Sequence, residues 1–91
     1  MRIEQISYLV AIVETGSLSK AANKLFISQP ALTVAIKEME TEIGVSLFKR
    51  TNQGTFPTEI GLKIYNDCNE ILSLWNQKLD IWKEFQFFLL D

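Results

Sequence analysis

Between Ser28 and Glu40 the chain reads SQPALTVAIKEME. Gln29, Thr33, Val34 and Lys37 bring an amide, a hydroxyl, a small apolar group and a cation to one side of that stretch. Such a set suits contact with a second surface. The amide and hydroxyl bond polar edges, the methyls pack, and the ammonium meets anions. It does not suit bond-breaking chemistry. The chain has no histidine and one cysteine, Cys68, so a Cys/His nucleophile pair or a zinc site lacks its groups. Glu38 and Glu42 are four apart, as a carboxylate pair on one helix face would be. No glycine-rich phosphate loop and no cluster of metal ligands accompanies them. The residues predict no enzyme, no cofactor and no metal. Asp67 and Glu70 flank Cys68, surroundings that leave a thiol inert.

The contact face needs elements to hold it. Ile3, Ile6, Leu9, Val10, Ile12 and Val13 recur at helical spacing, and Gly16 stops that first helix. Ser17 or Ser19 can cap a second helix, whose narrow inner face is Leu18, Ala21, Ala22 and Leu25. Phe26-Ile27 makes a short turn. Ser28 then caps a third helix over 28–43, with Pro30 in its first turn, where a missing N–H costs little. Leu32, Ile36, Met39 and Ile43 give this helix an inward stripe, and Gly44 ends it. Val45 to Thr51 reads as a strand, Asn52-Gln53-Gly54 as a turn and Thr55-Phe56 as a return strand closed by Pro57.

Thr58 is a plausible cap for a last, long helix. Tyr65, Cys68, Leu72, Trp75, Leu79 and Trp82 follow at spacings of 3, 4, 3, 4 and 3, a seam of 3.5-residue period. A second stripe, Ile60, Ile64, Ile71, Leu74 and Ile81, lies beside it. Two stripes predict two surfaces: the helix's own domain near its start, another chain further on. The expected layout is a domain over 1–57, a helix over 58–84 and an apolar tail over 85–91.

At 91 residues and 47% hydrophobic content, the chain is long enough for one small core. A single cysteine rules out a disulfide within the chain, and no secretory or membrane-length apolar run occurs, so the expected location is cytoplasmic. The formal net charge is −2, which argues mildly against a nucleic-acid partner. The charge is uneven, however. Residues 1–58 hold six Lys/Arg against five Glu, and residues 59–91 hold three Lys against six acids.

Two helices joined by a tight turn, then a two-stranded ribbon, describe a mainly α winged helix-turn-helix followed by a long helix. In that arrangement the second helix of the pair enters a major groove. The stretch GSLSKAANKLFISQPALTVAIKEMETEIGVSLFKR, Gly16 to Arg50, resembles the signature of LysR-type transcriptional regulators. Thr58-Glu-Ile-Gly61 is similar to the Thr-x-x-Gly that opens the linker helix of that family. The resemblance runs from about residue 3 to residue 82 and implies a DNA-binding domain that acts as a dimer on a palindromic operator. It implies base contacts from Gln29, Pro30 and Thr33, with Arg50 on the wing side near phosphate or minor groove; by their own chemistry Ser28, Lys37, Lys49 and Thr58 suit backbone contacts, and Val34 is a further candidate for base contact. The resemblance implies pairing through the long helix, for which the 3.5-residue seam offers Cys68, Leu72, Trp75, Leu79 and Trp82 as the interface. The implied partners are double-stranded DNA, a second copy of the chain and RNA polymerase, with no membrane and no small-molecule effector.

The sequence departs from the family's pattern in three places. Val34 stands where many members carry Arg, which predicts A·T-leaning contacts through Gln29, Thr33 and thymine methyls. The wing tip Asn52-Gln53-Gly54-Thr55 lacks basic residues. Nothing after Trp82 resembles the start of an effector-sensing domain. A competing expectation follows from the net charge and Val34: an interaction module, weak on DNA, that pairs with a full-length regulator through its long helix.

Overall fold

The computed structural model describes residues 1–86; residues 87–91, most of the expected apolar tail, lie outside the described residues. Four helices and a two-stranded ribbon follow in the order α1 (Ile3–Thr15), α2 (Leu18–Leu25), α3 (Gln29–Ile43), β1 (Phe48–Thr51), β2 (Gly54–Pro57) and α4 (Glu59–Glu84). The helix starts are capped by hydroxyls. Ser17 Oγ accepts from Lys20 N–H, Ser28 Oγ from Ala31 N–H and Thr58 Oγ1 from Gly61 N–H. Each bond satisfies one of the orphan donors of a first helical turn. Gly16 and Gly44 end α1 and α3 in the left-handed region, at φ 69° and 83°.

α1 is the central element, packed against α2, α3, α4 and β2. Its Leu9 and Ile12 are fully buried with Leu32 and Met39 of α3 and Leu47 of the following loop. Each such side chain contributes about 1.5–3 kcal/mol of burial. Ala21 and Ala22 are also buried, and their small size lets α2 lie close to its neighbours. The wing is antiparallel, with Phe48 opposite Pro57, Lys49 opposite Phe56, Arg50 opposite Thr55 and Thr51 opposite Gly54. Thr55 N–H donates to Gly16 O at 3.1 Å, which ties the wing to the corner between α1 and α2.

Three expectations are corrected. The strand does not begin at Val45: Leu47 N–H donates to the Glu40 carboxylate at 2.7 Å, and Leu47 O accepts from Thr58 N–H at 2.9 Å. The facing Thr58 carbonyl accepts from Leu62 N–H at 2.9 Å instead of from Leu47 N–H, so the ladder stops at Phe48. Ile43 does not join the inward stripe; it is exposed at the end of α3, and Ala35 is buried instead. The seam of α4 divides. Cys68 is 4% exposed in the single chain, and Tyr65, Ile64 and Leu72 pack on the same core. Cys68 therefore keeps no surface for a partner. Burial, with Asp67 adding to it, pushes its thiol pKa up.

Beyond Leu72, α4 projects past the body, and the molecule measures 57 × 24 × 20 Å. At its other end the helix is pinned. A Cβ on Gly61 would collide with Leu47 O and lie 3.1 Å from Thr58 Oγ1. Gly61→Ala is therefore expected to destabilise the fold by about 2 kcal/mol, lowering Tm by roughly 10 °C in a circular-dichroism melt. An unchanged Tm would show that α4 shifts on the body at little cost.

Candidate nucleic-acid interface

α3 buries Leu32, Ala35, Ile36 and Met39, which leaves Pro30, Val34, Lys37 and Thr41 as its outermost line. All four are exposed, and Val34 keeps 56% of its surface in solvent. Gln29 and Thr33 lie on the flank that faces the wing. Thr33, Lys37, Glu40, Phe48, Arg50 and Thr55 line a cleft of about 250 Å³ between α3 and the ribbon. Gln29 and Arg50 continue it toward Ser17, Ser19 and Asn52. The opposite flank of α3 forms a shallow groove against α1, bordered by Arg2, Tyr8, Pro30, Val34 and Glu38.

The fold thus gathers Gln29, Thr33, Lys37 and Arg50 on one side, with Pro30 and Val34 on the adjoining crest. Ser28 sits at the start of α3; its oxygen accepts from Ala31 N–H, which leaves its hydrogen free to donate. Lys49 is not part of this group. Side chains alternate along a strand, so Lys49 emerges on the other face of the ribbon from Arg50, opposite Phe56. Thr58, half-buried at the start of α4, already has its hydroxyl engaged. Its hydroxyl donates to Ser46 O at 2.7 Å and accepts from Gly61 N–H at 3.0 Å, so no hydrogen is left for a phosphate.

Sequence reasoning missed two features. Ser17 and Ser19 line the cleft beside Gln29 and Arg50, although Ser17 was legible only as a cap. Phe26 occupies the corner between α2 and α3 at φ 58° and is 94% exposed. Phe26 N–H donates to Asn23 O and Ile27 N–H to Ala22 O, the backbone closure of a left-handed helix end. That position favours glycine or asparagine, and no sequence signal marks a phenylalanine there. The ring contributes almost no burial. Phe26→Asn is therefore expected to raise stability by about 1 kcal/mol through relief of the left-handed backbone, read as a higher Tm. A lower Tm would show that the ring packs in solution.

Two helices set corner to corner, a ribbon beside the second and a long helix leaving the body define a winged helix-turn-helix with an appended helix. The family described as "Bacterial regulatory helix-turn-helix protein, lysR family" matches residues 3–62. The chain belongs to this LysR family. It is 40% identical over 74 residues to the HTH-type transcriptional regulator TfdT of Cupriavidus pinatubonensis, across 81% of this chain and 32% of that protein. It is 38% identical over 80 residues to the HTH-type transcriptional regulator BudR of Klebsiella aerogenes, across 88% of this chain and 56% of BudR. The chain therefore spans about a third of the one relative and just over half of the other. Among solved structures it is similar to the BenM DNA-binding domain in complex with catB site 1 DNA, at 34% identity and TM-score 0.90, covering 94% of this chain and 96% of that one. It is also similar to full-length CbnR, a LysR family transcriptional regulator, at 31% identity and TM-score 0.86, covering 91% of this chain and 29% of that one. Among the described residues no helix is long and apolar enough to cross a membrane.

Proposed function

We propose that the chain is a sequence-specific DNA-binding domain of a transcription regulator, with α3 in the major groove and the wing beside it. The observation that carries this is the exposed outer face of α3. Pro30, Val34 and Lys37 form its crest, and Gln29 and Thr33 share a cleft with Arg50. The TM-score of 0.90 to a domain solved on DNA supports the same reading. The groups fit the chemistry. Gln29 can bond adenine through both ends of its amide, Thr33 can bond several bases, and Pro30 and Val34 can meet thymine methyls. Ser28, Lys37 and Arg50 suit phosphate contacts, which set register. Lys49, on the far face of the ribbon, reaches only backbone that wraps around the wing. Contact with RNA polymerase belongs to the whole regulator and is proposed only at that level.

A mobility-shift titration at two salt concentrations tests the DNA reading. A duplex selected from a random library is expected to bind, with affinity falling steeply as salt rises. Gln29→Ala or Thr33→Ala should each reduce discrimination between matched and mismatched duplexes by about 1–3 kcal/mol. Weak, salt-independent binding to every duplex would leave the interaction-module reading in its place.

The domain is proposed to act as a homodimer through the projecting half of α4. Trp75 and Trp82 pack edge-on at 6.4 Å yet stay 43% and 51% exposed, with Leu79 half-buried between them. Ile71, Leu74 and Ile81 are exposed on the adjoining stripe. An apolar surface this continuous is rarely left in water. Cys68 and Leu72 lie at the inner edge of that surface and serve the chain's own core. Replacing Trp75 and Leu79 with Glu is expected to give a folded monomer in light scattering. A variant that stays dimeric would place the interface elsewhere.

A further inference from the structure

α3 carries one lysine and three glutamates, an unfavourable balance for a helix that meets phosphate. Each carboxylate is drawn back onto the body. Glu40 Oε2 accepts from Leu47 N–H at 2.7 Å, Glu42 Oε1 pairs with the Met1 amino group at 3.1 Å, and Glu38 Oε2 accepts from Gln5 Nε2 at 3.0 Å. The tie to Glu38 comes from a buried side chain. Gln5 is 5% exposed, and its Oε1 accepts the Arg2 backbone N–H at 3.0 Å. The carbonyl oxygen must face that N–H, so the amide nitrogen must face Glu38. Gln5 is thus a fixed donor aimed from α1 across to α3. Glu38 is exposed, one turn along from Val34, and borders the same groove as Pro30 and Val34. An untethered carboxylate there would sweep toward the crest of α3. Lys37, next to it, has no ion pair among the described residues.

We propose that Gln5 is a positioning residue for DNA binding. It holds the Glu38 carboxylate against α1 and keeps negative charge off the surface that meets phosphate. This rests on the DNA reading above. It differs from a packing role in one respect: the harm done by losing Gln5 is carried by the charge at position 38, so removing that charge repairs it.

The test measures affinity for a duplex selected from a random library, at low and high salt, with a thermal melt for every variant. Gln5→Leu removes the donor and is expected to weaken binding about fivefold at low salt, the scale of one like-charge encounter near a protein surface. The deficit should shrink at high salt, because exposed charges are then screened. Gln5→Leu/Glu38→Gln should return to the affinity of Glu38→Gln alone, although the original hydrogen bond is still missing. Glu38→Asp keeps the charge but shortens the reach to Gln5, at an exposed position where folding is not at stake. It should show the same salt-dependent weakening. The proposal is overturned if the double variant stays as weak as Gln5→Leu, or if Glu38→Asp binds like the native chain. If Gln5→Leu does not fold, the comparison of Glu38→Asp with Glu38→Gln decides alone. A native chain that shifts no duplex would sink the DNA reading and this proposal together. A native chain that binds while its variants bind equally well would sink this proposal only.

Discussion

Three elements meet at the backbone of Leu47, and the rest of the structure depends on that junction. Its side chain is fully buried in the core. Its N–H is taken by the Glu40 carboxylate from the last turns of α3. Its carbonyl is taken by Thr58 N–H at the start of α4, and Gly61 lies directly against it. A single residue therefore ties the last turns of α3, the root of the wing and the start of the long helix together. A buried amide and carbonyl must find partners, and here the partners come from two helices that are otherwise far apart in sequence.

Charge is managed locally. The chain is acidic overall, with a formal net charge of −2, and α3 itself has more acids than bases. Exposed charges farther apart than a Debye length, about 8–10 Å at ordinary salt, are largely screened, so where each carboxylate points matters beside the total. Glu38, Glu40 and Glu42 each bond back to the body. Lys37 and Arg50 line the cleft between α3 and the wing, where Glu40 is the one carboxylate among the described residues and is bonded to Leu47 N–H. The net charge that seemed to argue against a nucleic-acid partner is compatible with one for this reason.

α4 lies in two different surroundings along its length. Its first half is part of the core through Ile64, Tyr65, Cys68 and Leu72. Its second half carries the tryptophans away from the body with their faces in solvent. One continuous 3.5-residue seam runs through both halves. The seam cannot tell them apart, because periodicity reports which side of a helix is apolar and not what covers it.

The sequence by itself determined the order of elements, the caps at Ser28 and Thr58, and the outward set of Gln29, Thr33, Val34 and Lys37 on α3. These are local matters: spacing at helical period, a hydroxyl before a first turn, a glycine after a last one. The family signature from Gly16 to Arg50 was legible for the same reason, since it is a string of such local requirements. The tertiary structure decided what depends on partners distant along the chain. It engaged the Thr58 hydroxyl with Ser46 O, turned Lys49 away from Arg50, and moved Val45–Leu47 out of the strand. It also buried Cys68 under α1 and aimed Gln5 at Glu38, 33 residues away. A residue's type records what it can bond; only the packed fold records which of those bonds are already made.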